Sequence, residues 1–281
     1  MIKSVAVISF DEMGKVLEPI TSCEDVTTIA IRYNSTHEYN ANHTITLSVD
    51  PESVKGLDGA PAFYLISNQE NATREIEQLK NALIGVDLVI VLVELGQYTK
   101  FNATFTLPVF LKHIQILCSK IVCIAQEPFH FEGARRKLFS DICLTQLLEE
   151  NIPVITIDVH KFLLAIPHDL GLQDSITVIN SIVATITCDL IKHLQKTEGL
   201  EMLSKIIQSS SSSKIYLDFT KKAMKPQAQF VYTLYGRCNA PALIEWKPIE
   251  INIPVKKPTE ELEKIPQKTV SSWIMSLFWR G

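Results

Sequence analysis

The chain has 281 residues, 46% of them hydrophobic, with 27 Lys and Arg against 31 Asp and Glu for a formal charge of −4. That length and apolar content suffice for one or two domains with a sizeable core, and the weakly acidic balance excludes nucleic acid as the expected main partner. Six cysteines (Cys23, Cys118, Cys123, Cys143, Cys188, Cys238) show no Cys-x-x-Cys spacing and no cluster with histidine, so reduced, mostly buried thiols are expected rather than structural zinc or a disulfide framework.

The N-terminal stretch MIKSVAVISFDEMG holds one lysine and a short apolar run broken by Asp11 and Glu12. It predicts a first β-strand, not a signal peptide. Further buried parallel strands are predicted for VDLVIVLVEL, KIVCIAQ and IPVITID, each short, rich in Val and Ile and bounded by polar residues. Between them ATREIEQLKNAL, TLPVFLKHIQILC and ARRKLFSDICLTQLLEEN carry helical patterns; in the first, Ile76, Leu79 and Leu83 recur on one face with Glu75, Glu77 and Lys80 elsewhere. This alternation implies an open α/β sheet with helices on both faces.

A longer helix is predicted over DSITVINSIVATITCDLIKHLQKTE, apolar enough to be buried on most sides, as an inter-domain helix would be. No apolar run reaches the length of a membrane span. SSSSS at 209–213 marks a flexible break. Two candidate strands follow, QFVYTLYGR and LIEWKPIEINIPV, too few for an independent domain. Lys, Pro and Glu dominate 254–268, a linker composition, and the chain then turns abruptly apolar in VSSWIMSLFWRG. In a helix, Val270, Trp273, Ile274, Leu277 and Phe278 would share one face. Such a stripe suits a protein groove or a bilayer surface. It could also fold back on its own domain. The four Asn-x-Ser/Thr triplets, at Asn34, Asn42, Asn71 and Asn102, are read as chance, because nothing in the sequence directs secretion; a cytoplasmic location is expected.

The most specific motif is Pro128-Phe129-His130-Phe131-Glu132-Gly133 after a strand, with Arg136 at the fourth place after the glutamate. It resembles the cell-division protein FtsZ and, more remotely, tubulin. GVDLVIVL is similar to the strand before that family's glycine-rich loop. From Pro108 the spacing to Pro128 and Phe129 matches, and Phe139, Thr145, Leu147, the strand at 155–157, Lys161 and Leu163 stay in step. KIYLDF is similar to the loop that enters the neighbouring subunit's site. The likeness spans residues 1–220 and is closest between 80 and 165.

The resemblance implies an FtsZ/tubulin-like domain over 1–170, an inter-domain helix and Ser-rich insertion over 171–213, and a truncated second domain over 214–253. The linker at 254–268 and an amphipathic segment at 269–281 complete it. It also implies guanine nucleotide chemistry, and there the residues depart from the family. Its GGGTGTG-type phosphate cradle corresponds to ELGQYTKFNATFT, which keeps Gly96 and adds Tyr98, Phe101 and Phe105. The loop after the first strand carries Asp11 and Glu12, which repel phosphate. GLDGA, with Gly56 and Gly59, resembles a third phosphate-side loop. Glu132 and Arg136 match the ribose contacts. Val159 replaces the base-reading asparagine, and Ser181, beside Asn180, replaces the aspartate on the long helix. Of the catalytic Asn-x-Asp-x-x-Asp pattern, which falls on Tyr216, Asp218 and Lys221, Asp218 alone is retained.

No cofactor is therefore expected, with GTP or GDP the alternative, and the family's C-terminal layout suggests partners. These are FtsZ-like filaments or the chain itself, and a membrane surface or membrane-tethering protein through Trp273, Ile274, Leu277 and Phe278. The favoured reading is a non-catalytic cytoskeletal or cell-division accessory protein, cytoplasmic or peripheral at the inner face of the membrane. A weak GTPase forming nucleotide-dependent polymers and an adaptor unrelated to division are the alternatives. Glu132 and Arg136 leave two roles open, an ion pair at a helix start or a nucleotide contact. His113, His160 and His168 have no ligand spacing, Asp218 reads first as a turn residue, and no Gly-x-Ser-x-Gly elbow exists.

Overall fold

Val, Ile and Leu fill the central strands almost without interruption. In the computed structural model, β1 (Val5–Phe10) is buried at all its residues, and β4 (Leu88–Glu94) and β5 (Ile121–Glu127) at every position but the last. Burial on both faces is what a parallel strand between two helical layers experiences. The structure describes residues 2–10, 13–33, 38–47, 69–96, 107, 110–111, 114–118, 120–149, 152–160, 171–196, 214–223, 228–236 and 249–251.

The remaining strands are β2 (Val26–Tyr33), β3 (His43–Leu47), β6 (Val154–Asp158), β7 (Lys214–Ala223), β8 (Ala228–Gly236) and β9 (Ile249–Ile251), in one sheet of order β3-β2-β1-β4-β5-β6-β7-β8-β9. Pairing is parallel from β3 to β7 and antiparallel beyond. The chain builds β2 and β3 on one side of β1 and returns to its other side with β4, so strand order reverses there. Open α/β sheets bind ligands outside the carboxyl ends of the strands around such a reversal. At the opposite end, Asp87 Oδ2 accepts the N–H groups of Lys3 (2.8 Å) and Ser4 (3.2 Å), which fixes the starts of β1 and β4 against each other. Those backbone hydrogen bonds hold its carboxyl below the usual range.

Among the described residues the helices are α1 (Gly14–Ile20), α2 (Gln69–Ala82), α3 (Ala134–Glu149) and α4 (Leu172–Leu194). Residues 110–111 and 114–117 are helical too, where the sequence predicts a helix, and Leu111 and Ile114 join the core formed with β1, β4 and β5. Strands β2 and β3 are absent from the sequence prediction. Thr28 is buried within β2, its N–H (2.8 Å) and hydroxyl (2.9 Å) both donating to Asn42 Oδ1. Asn42, one of the Asn-x-Thr positions, thus ties the start of β2 to the approach to β3.

Two expectations need correction. By length and composition α4 could cross a membrane, with a mean hydropathy of 1.4, although no such run was expected; 56% of that window is buried inside the protein, as in a core helix. Helix α4 is buried along most of its sides, as its composition predicts, apart from one stripe. Thr177 and Ser181 are exposed, and with Thr185 they form a polar stripe whose hydroxyls donate to the carbonyls four residues back (3.0, 3.0 and 2.8 Å). Strands β7 to β9, which the sequence assigns to a small second domain, extend the same sheet.

Candidate functional site

A cavity of about 300 Å³ opens at the carboxyl ends of β4, β5 and β6. Strands β4 and β5 supply Glu94, Gln126 and Glu127, and the chain after β6 supplies Val159. Helix α1 adds Lys15, α4 adds Ile176, Ile179 and Asn180, and the turn after β5 adds Phe129 and Glu132, with Arg136 from α3.

That turn explains the Phe-x-Phe-Glu-Gly run. Residues His130–Glu132 form one turn of 3-10 helix, and the Phe129 and Phe131 rings stack with centroids 5.1 Å apart. Gly133 has φ +92°, where L side chains are strained, and its carbonyl accepts the Lys137 N–H (3.3 Å) to open α3. Glu132 Oε2 accepts the Phe129 N–H (2.8 Å), while Oε1 pairs with Arg136 Nη1. Arg136 then reaches back across the site: Nη2 pairs with Glu94 (3.0 Å), and Nε donates to the Gly96 carbonyl (3.2 Å). The guanidinium is therefore held by the protein's own carboxylates and carbonyl. The ion-pair role left open for Glu132 and Arg136 is the one observed, and both residues line the cavity.

The two described glycines nearest the expected phosphate loops serve close packing. A Cβ at Gly96, whose φ is +76°, would lie 2.2 Å from the Arg136 carbonyl oxygen. A Cβ at Gly14 would lie 2.5 Å from the Tyr39 ring, which sits on the start of α1. Among the described residues, Glu94, Glu127 and Glu132 face Lys15 and Arg136 around the cavity. Lys137 pairs with Glu127 (3.4 Å) and Asp141 (3.1 Å). Burial works against its charge, but the bonds and charges of Asp141 and Glu127 outweigh burial and raise its pKa.

Beside the cavity, His160 stacks on His130 with ring centroids 4.0 Å apart. Its backbone N–H donates to Asp158 (3.1 Å), and its ring Nδ1 is buried without a hydrogen-bond partner. Burial, then the charge of His130, lowers its pKa against the opposing pull of Asp158. Among the described residues no group of three or more His, Cys, Asp or Glu could hold a metal ion.

Val159 lines the cavity. On the long helix Asn180 lines it, whereas Ser181 is exposed and donates to the Thr177 carbonyl. Tyr216, Asp218 and Lys221 lie within strand β7, opposite Tyr235, Thr233 and Phe230. The stretch likened to a subunit-crossing loop is therefore a strand, which its alternating, β-branched and aromatic sequence favours. Pairing of β7 with β6 ends at Leu217, so Asp218 is the first residue past the parallel ladder. Asp11, Glu12, Gly56, Gly59, Tyr98, Phe101, Phe105, His113, Lys161, His168, Trp273, Ile274, Leu277 and Phe278 lie outside the described residues. Sequence reasoning missed Lys15, Glu94 and Gln126, whose signal is their position at a helix start or a strand's carboxyl end. Gln126 is 5% exposed and its Nε2 has no hydrogen-bond partner.

No family model matches the chain. Over 138 residues it is 29% identical to the cell division protein FtsZ of Buchnera aphidicola subsp. Schizaphis graminum, a stretch covering 49% of this chain and 35% of that protein. Among solved structures, an FtsZ mutant from M. jannaschii superposes with a TM-score of 0.59 at 16% identity, covering 79% of this chain and 67% of the other. CetZ2 from Haloferax volcanii, solved as a GTPγS-bound protofilament, gives 0.60 at 15% identity, covering 79% and 68%.

Proposed function

We propose that the chain, whose fold is similar to that of FtsZ, is a non-hydrolysing filament protein of the FtsZ/tubulin superfamily. It assembles with itself or with FtsZ-like filaments in the cytoplasm, as an accessory to the cytoskeleton or to cell division. The observation that carries this reading is Arg136, occupied by Glu132, Glu94 and the Gly96 carbonyl at the position where a ribose contact is implied. Tyr39 seated on Gly14 agrees with it. Asp218 is paired in a strand, and Lys221 stands three residues on, where the resemblance implies the second acid that would orient a water.

The cavity itself favours the alternative, a weak nucleotide-dependent polymer, because its volume and the Phe129 and Asn180 lining persist. Calorimetric titration of the full chain with GTP and magnesium, alongside sedimentation with and without nucleotide, separates the two. The expected outcome is no binding isotherm at micromolar protein, no phosphate release above a no-protein control, and sedimentation that does not depend on GTP. A micromolar isotherm with hydrolysis abolished by Asp218→Ala would establish the alternative.

A further inference from the structure

We propose that Cys23 and Cys188 form a reversible disulfide that pins the end of α1 to α4. Their sulfurs lie 2.8 Å apart, although 165 positions separate them in the chain. A disulfide bond is about 2.05 Å, so closing it takes a small approach of two side chains already in contact. Cys23 sits in the turn after α1, its N–H donating to the Ile20 carbonyl (2.9 Å), and the positive φ of Asp25 then directs the chain into β2. Cys188 lies on α4, which packs against α1. Both thiols are half-buried and within reach of a small oxidant, whereas Cys118, Cys123 and Cys143 are buried.

Burial, with the hydrogen bond to Cys23, pushes the Cys188 thiol up to about 12, and the reaction balances the same way whichever sulfur meets the oxidant first. With a hydroperoxide as oxidant, the Cys23 sulfur attacks one peroxide oxygen and the O–O bond breaks. Sulfenic acid forms, and for hydrogen peroxide the departing hydroxide takes the thiol proton away as water. The Cys188 sulfur attacks the sulfenic sulfur, the S–S bond forms as the S–O bond breaks, and the second proton leaves with the hydroxyl as water. Two thiols lose two electrons and one peroxide gains two. Thiolate exchange with a small dithiol reverses the bond. Lys15 on α1 and Asn180 on α4 both line the cavity, so the disulfide fixes two of its walls relative to each other. It does so whether or not nucleotide binds.

The test is peptide mapping of the full-length chain under non-reducing conditions after stoichiometric hydrogen peroxide, followed by mass spectrometry and thermal unfolding. The expected product is one peptide pair joining Cys23 to Cys188, lighter by two hydrogens and separated again by dithiothreitol. Closing so long a loop should raise Tm by about 5–15 °C. Cys23→Ser and Cys188→Ser should each abolish both signals, and Cys238→Ser should keep them. The proposal is overturned if Cys23 and Cys188 stay open to alkylation, pass separately to sulfinic acid, or pair with Cys238 or across chains.

Discussion

Arg136 makes two ion pairs and one backbone hydrogen bond while its side chain stays 27% exposed. Solvent screening keeps partly exposed pairs weak, about 1 kcal/mol each at most, so its main effect is geometric: it holds the end of β4 against α3. Gly96 makes that approach possible. Gly96→Ala combines a strained φ with a Cβ driven into a carbonyl oxygen, and should destabilise by about 2–5 kcal/mol, more than Arg136→Met at about 1–2 kcal/mol. Urea unfolding of both variants checks the order. Reversal would mean that the charge cluster, not backbone approach, fixes the site. His160 gives a second residue-scale outcome. Its folded pKa is below the ordinary 6.5, so protonation favours the unfolded chain. Stability is complete above that ordinary value and falls as pH drops from it toward the folded pKa. His160→Gln should flatten the Tm profile below about pH 6.5; an unchanged profile would show that His160 does not set it.

At the scale of elements, the central strands were legible because buried parallel strands have no alternative composition, and β4, β5 and β6 lie where their Val and Ile runs predict. β2 and β3 were not. Their threonines interrupt the apolar pattern, and Thr28 is buried because Asn42, distant in sequence, satisfies its N–H and hydroxyl. Local reading cannot supply such a partner. The site divides along the same line. Glu132 and Arg136 were visible through the motif's resemblance to FtsZ, while Glu94 joins them through a tertiary approach across 42 positions. On α4 a one-residue difference decides what faces the cavity, Asn180 rather than Ser181, and helical rotation of about 100° per residue makes that choice invisible without the packing partner. The strand KIYLDF was misplaced as a loop because family resemblance outweighed its own alternation, which pairs it with β8 over the whole of β7.

At the scale of the molecule, filament association and surface docking ask for different surfaces, and we propose that the sequence at 269–281 serves docking. As a helix, it would set Trp273, Ile274, Leu277 and Phe278 in one stripe, after a Lys, Pro and Glu linker whose apolar content is too low to form a core. Burying such a stripe contributes several kcal/mol at about 25 cal/mol per Å² of apolar surface, less the cost of ordering a helix. Arg280 alone adds about 1 kcal/mol of attraction to an anionic surface. A single copy should therefore bind lipid modestly, and an assembled array much more tightly, because each added contact is intramolecular. Liposome co-sedimentation at rising protein concentration should show partitioning that steepens with assembly. Trp273→Glu combined with Leu277→Glu, and a chain ending at Lys268, should both lose it while still self-associating. If all three chains partition alike, the stripe packs within its own domain and docking belongs to another surface. If partitioning is lost together with self-association, the segment belongs to the filament contact instead.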